Sequence, residues 1–168
     1  MPARRILQLG DPTLREISAA VTDFSRAAEI LTDLRDTLHQ FQRANGFGRG
    51  ISAVQIGELQ RIIYIEFEGS PYALINPVFQ RLSAETFELW DDCFSFPTLM
   101  VRLRRSLSVQ LRYFDEKGAQ HHLLASGAFA ELLQHEMDHL DGILAVDRAI
   151  GRNSLAMREQ YLRSLENA

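Results

Sequence analysis

The chain has 168 residues, of which 46% are hydrophobic and 24% charged, with a formal net charge of −4. That length and composition predict one globular domain over residues 1–168, and the mildly acidic balance excludes a strongly basic nucleic-acid or anionic-membrane binder. No apolar run approaches the roughly 20 residues that a membrane helix needs. Cys93 is the one cysteine, so no internal disulfide can form. The start, Met-Pro-Ala-Arg-Arg-Ile, lacks an apolar signal core, and together these features predict a cytoplasmic protein without a targeting segment.

Residues 6–24 read as an extended lead-in with a turn at Asp11-Pro12. Ser25 is placed to cap a helix reaching to about Arg43, whose Ile30, Leu31, Leu34, Leu38 and Phe41 recur at steps of three and four. Four glycines between Asn45 and Gly57 break that period, so this stretch is expected to be irregular. The β-branched and aromatic run Arg61–Phe67 predicts a strand, and Tyr72–Ile75 another that ends at Asn76-Pro77. From 106 to 113 apolar and polar residues alternate, the mark of a half-buried strand. Asp115-Glu116-Lys117-Gly118 supplies a turn, and Gln120–Leu124 the returning strand. A helix is expected from Ser126 to Leu140, ended by Gly142, and a last one over Ser154–Leu165. Helices near both ends and strands between them make an α+β fold: a single compact domain with a mostly antiparallel or mixed sheet around a central, metal-binding helix.

The chemistry concentrates in that central helix. His135 and His139 are four apart, so their rings share a face one turn apart and can both reach one ion. Glu136 stands beside them and is placed to take a proton from water on that ion. A metzincin-type peptidase would carry a third histidine where this chain has Ala145. A glutamate ligand from further on would have to be Glu159 or Glu166, both in a polar helix. The lone thiol, Cys93, in Asp91-Asp92-Cys93-Phe94-Ser95, is the other candidate, and three protein ligands with one open position suit a catalytic ion.

Three motifs together resemble the peptide deformylases. Gly48-Arg49-Gly50-Ile51-Ser52-Ala53-Val54-Gln55 is similar to that family's glycine-rich segment. Asp91-Asp92-Cys93-Phe94-Ser95 is similar to its cysteine segment, and Gln134-His135-Glu136-Met137-Asp138-His139-Leu140-Asp141-Gly142 to its histidine segment. Ile6 to Arg15 also resembles the family's N-terminus, so the likeness spans residues 6 to about 147.

The resemblance implies Cys93, His135 and His139 as ligands to one divalent ion, Fe2+ in the cell, with Zn2+, Ni2+ or Co2+ able to substitute. It implies Glu136 as the proton carrier, and the Gln55 amide with the Phe94 backbone N–H as oxyanion donors. The substrate would be an N-formylmethionyl nascent peptide in a ribosomal setting, pairing as an added strand with Gly50, Ile51 and Ser52. The chain departs from the family's pattern in Asp91 for Glu, Asp92 for Gly, Phe94 for Leu and Ser52 for Ala. Asp91 is expected to pair with Arg105, and Asp92 to adopt positive φ if the glycine's conformation is kept. Two other readings compete: a related amidohydrolase or metallopeptidase acting on another amide, and a deformylase-like binding protein without turnover.

Outside the motifs, the histidines at 121 and 122 read as cross-strand or solvated groups. Arg102, Arg104 and Arg105 read as a solvated strand edge, and Trp90 as packing.

Overall fold

A computed structural model describes residues 3–167. The first apolar stripe forms α1 (Phe24–Asn45), and its cap is Asp23 rather than Ser25. The Asp23 carboxylate accepts from the N–H groups of Ser25 and Arg26, two donors that a helix start leaves unpaired. At the far end Gly46 closes the helix in the left-handed region, with φ 76°.

The stretch expected to be irregular instead holds a short strand, β1 (Gly50–Ser52), and one 3₁₀ turn (Ala53–Ile56). β1 pairs antiparallel with β2 (Ile62–Phe67), Gly50 facing Ile65. In β2 successive residues serve different cores. Ile62 and Tyr64 pack with α1, whereas Ile63 and Ile65 pack with the central helix α2 (Gly127–Leu140) on the other face. A strand buried on both faces needs an unbroken apolar run, which is why Ile-Ile-Tyr-Ile does not alternate.

β3 (Ser70–Leu82) continues well past Asn76-Pro77, where the turn residues suggested an end. The chain kinks there: Asn76 has φ 49° and the register against β6 (Ser108–Phe114) shifts between Ile75 and Val78. The Asn76 side chain explains why the kink survives. Its Oδ1 accepts from Val21 N at 2.7 Å and its Nδ2 donates to Val21 O at 3.0 Å, so the bend is tied to the lead-in. β6 and β7 (Gln120–Ser126) form the expected hairpin and complete a sheet ordered β1-β2-β3-β6-β7.

A second sheet was not foreseen. β4 (Thr86–Asp91), β5 (Leu99–Ser106) and β8 (Leu155–Met157) pair antiparallel in that order. Arg102 and Arg104 do lie on an exposed face, both paired with Glu88 at 2.7 Å, but Arg105 is buried. The last helix, α3 (Arg158–Glu166), therefore starts four residues later than expected, because β8 takes its first residues. Trp90 is half-buried against Tyr161 of α3.

The central helix ends where Gly142 was expected to end it, and here the glycine is required. Its φ is +70°, and a Cβ would fall directly against the Arg15 carbonyl. Gly142→Ala is therefore expected to cost about 1–3 kcal/mol and to lower Tm by on the order of 5 °C in a thermal melt. An unchanged Tm would show that the lead-in does not bear on this helix end.

Candidate metal centre

α2 brings buried polar groups into the interior at a density that an ordinary core helix avoids. Glu131, Gln134, His135, Glu136, Asp138 and His139 are all buried on it. Cys93 follows β4, and its sulfur lies 3.2 Å from His139 Nε2. One ligand atom from each of Cys93, His135 and His139 lies within 4.8 Å of the others. Tetrahedral ligation with Zn–S and Zn–N bonds of the usual length separates sulfur from nitrogen by roughly 3.5 Å, so these residues fit a divalent ion. One thiolate and two imidazoles form a donor set suited to iron, zinc, nickel or cobalt.

Orientation of the ligands comes from the shell behind them. His135 Nδ1–H donates to Asp91 Oδ2 at 2.8 Å, which leaves Nε2 turned to the centre. Burial works against the charge on His135, yet the Asp91 carboxylate outweighs it and holds the ring's pKa well above the ordinary value. Burial likewise opposes the Asp91 charge. His135 and Arg105 overcome it and take the carboxyl down to about 2. His139 has no such partner: burial, then the His135 charge, push it well below the usual range, and its Nδ1 is unpaired.

The substitution of Asp for Glu at 91 thus keeps the expected contact with Arg105, at 3.4 Å, and adds the histidine contact that the sequence did not reveal. The guanidinium of Arg105 lies closer to Asp138, at 2.5 Å, and Arg148 grips the same carboxylate twice at 2.6 Å. Asp92 does not take positive φ, so the question of strain at that position does not arise; its carboxylate pairs with Arg158.

Glu136 is 2% exposed, and its Oε2 accepts from Ser52 Oγ at 2.6 Å. Burial raises its pKa to about 6, only partly offset by the His135 charge and the Ser52 hydroxyl. Ser52 therefore faces the carboxylate, not a peptide lying along β1. Gly50 is small for the same reason, since a Cβ there would sit 2.9 Å from Glu136 Oε1.

Gln55 is held at both ends of its amide. Oε1 accepts from Ser52 N at 2.9 Å, while Nε2 points to Ser95 Oγ at 3.2 Å and Cys93 Sγ at 3.6 Å. The Phe94 ring stacks on Phe41, centroids 3.8 Å apart, so its bulk is absorbed mainly by α1. Ile51 is buried in the α1 core, leaving only its backbone available on β1. Of the nine residues named from the sequence, six line one cavity, Ile51 and Ser52 lie on the strand beside it, and His139 stands behind it against Cys93.

The alternatives fare differently. Ala145 is buried in a 3₁₀ turn, and Glu159 and Glu166 are exposed on α3. His121 pairs with Asp115 at 2.7 Å and His122 with Gln80 at 2.9 Å, the structural roles expected. Two residues were given no role from the sequence. Glu131, one turn before His135 on the same helix face, and Arg49, between two of the glycines, both line the cavity.

An α+β architecture that turns a buried Cys/His/His triad and a glutamate into one cavity defines a metal-dependent hydrolase centre. The chain belongs to the polypeptide deformylase family, whose model matches residues 3–154. It is 32% identical to a peptide deformylase of Thermotoga petrophila over 94% of each chain, and 34% identical to peptide deformylase 2 of Clostridium perfringens, covering 89% of this chain and 94% of that one. Among solved structures, the peptide deformylase of Thermotoga maritima superposes with a TM-score of 0.84 at 30% identity, covering 90% of this chain and all of that one. That of Synechococcus elongatus, in complex with actinonin, gives 0.83 at 29% identity, covering 99% and 86%.

Proposed function

We propose that this chain hydrolyses the formyl amide of N-formyl peptides, N-formylmethionyl peptides of newly made proteins included, and releases formate. What supports this reading is that Glu136 and Gln55 line one cavity with Cys93 and His135, in a chain of the deformylase family. Cys93, His135 and His139 would hold one divalent ion, ferrous iron in the cell, with zinc, nickel or cobalt as substitutes. Bound there, it supplies Lewis acidity and lowers the pKa of water.

The remaining work falls to this chain's own groups. Glu136, kept near pKa 6 by burial, is ionised at neutral pH yet basic enough to accept a proton from the attacking water. The Gln55 Nε2–H and Phe94 backbone N–H are the donors for charge developing on the formyl oxygen. As the C–N bond breaks, Glu136 returns its proton to the leaving amine. β1 is the last strand of its sheet, and Gly50, Ile51 and Ser52 offer a backbone edge to an extended peptide without reading its side chains. We place this activity in the cytoplasm, in a ribosomal setting, with residues 1–168 acting as one unit.

The test is formate release from formyl-Met-Ala-Ser by the ferrous, nickel and cobalt forms. Turnover by at least one form is expected. No formate from any of the three would overturn the reading.

A further inference from the structure

The cavity beside the triad encloses about 180 Å³ and is lined by Cys93, His135, Glu136 and Gln55. Arg49, Asp92, Glu131 and Leu132 line the same cavity, with Glu131 one helical turn before His135. Because Glu136 and Gln55 line this space, a peptide whose formyl carbon meets them brings the side chain next to the scissile amide up to it. The wall it meets is charged. Arg49 Nη2 donates to Glu131 Oε2 at 2.9 Å, and its Nη1 to Ala128 O at 3.4 Å.

Glu131 is only half satisfied. Its side chain is 4% exposed, and Oε1 has no hydrogen-bond partner. A buried carboxylate oxygen left unpaired carries a desolvation penalty, which a donor arriving with the substrate would remove. The Oδ2 atoms of the neighbouring Asp91 and Asp92 are matched by Arg105, His135 and Arg158, whereas Glu131 Oε1 is buried with no partner among the described residues. Arg49 is 40% exposed on its side chain and can yield toward solvent as a substrate enters.

We infer that Glu131, held by Arg49, makes this cavity select N-formyl substrates whose first side chain ends in a hydrogen-bond donor, over purely apolar ones of the same length. The inference rests on the deformylase reading and narrows it to a class of first residue. Formylmethionyl peptides remain substrates, without that hydrogen bond.

The experiment compares formyl-Gln-Ala-Ser, formyl-norleucine-Ala-Ser and formyl-Glu-Ala-Ser on the nickel-loaded chain. Glutamine and norleucine have similar reach, so their ratio isolates the donor. The expected kcat/KM ratio is about tenfold or more in favour of glutamine, the size of a hydrogen bond to a charged group. Glu131→Leu should bring the ratio to one or reverse it; its folding is protected because the freed Arg49 can reach water. A readout without turnover is the Tm of the wild-type protein, which Gln-Ala-Ser should raise more than norleucine-Ala-Ser.

Equal or greater cleavage of the norleucine peptide by the wild type would overturn the inference and leave the deformylase reading intact. So would an unchanged ratio in Glu131→Leu, or a preference for the glutamate peptide, which would make Arg49 the selecting group. Formate from none of the three, nor from formyl-Met-Ala-Ser, would overturn both.

Discussion

Glu136→Gln lowers kcat for formate release by about 10²–10⁴-fold while the protein keeps its metal. The amide matches the carboxylate in size and can still accept from the Ser52 hydroxyl that holds Glu136 at 2.6 Å, so the packing around it is preserved. What is lost is the exchangeable proton site that burial has tuned to pKa about 6. Because Glu136 is not among the three residues whose donor atoms converge, metal content should match that of the wild type. A fall of less than tenfold would show that some other group carries the proton.

The second large effect is on stability. Arg105 is 4% exposed and sits between two buried carboxylates, Asp138 at 2.5 Å and Asp91 at 3.4 Å. Arg105→Met keeps much of the volume but removes the cation the two carboxylates share, leaving Asp91 to His135 and Asp138 to Arg148. Removing one partner of such a buried set costs about 3–5 kcal/mol, the lower end being expected because Arg148 still holds Asp138. Urea unfolding of the metal-free variant measures the loss. The double variant Arg105→Met with Asp138→Leu should recover part of it, since one of the two under-compensated carboxylates is then gone. A loss below about 1 kcal/mol would mean that water or a rearranged side chain reaches the carboxylates.

These two residues also mark how far the sequence can be read. Glu136 was legible because helical spacing alone puts it beside His135 and His139, a relation confined to one turn. Cys93 and Gln55 come from distant segments, and only the likeness of three ordered motifs to a family joined them to the helix. The role of Arg105 was legible in part. Its pairing with Asp91 was expected, but a run of three arginines gave no sign that the third turns inward while its neighbours meet Glu88 in solvent. That depends on the alternation of β5, and β5 was hidden because Arg-Leu-Arg-Arg interrupts the apolar pattern.

The same limit explains the fold. Where burial is one-sided, as in α1 and the β6–β7 hairpin, period fixed the element. At Asn76-Pro77 the local turn signal was overruled by a side chain that binds Val21 across 55 residues. β1 has three residues and owes its existence to β2. Arg49 and Glu131 were passed over because Arg49 fills an unspecified position of its motif and Glu131 lies outside the motifs. Only the closeness of β1 to α2 makes them neighbours.

Cobalt titration of the metal-free protein tests the central claim most directly, since a thiolate bound to cobalt(II) absorbs where a free thiol does not. One equivalent per chain is expected, with a thiolate absorption that Cys93→Ser abolishes. Failure to take up a stoichiometric ion, or an identical spectrum in Cys93→Ser, would contradict a centre built from Cys93, His135 and His139.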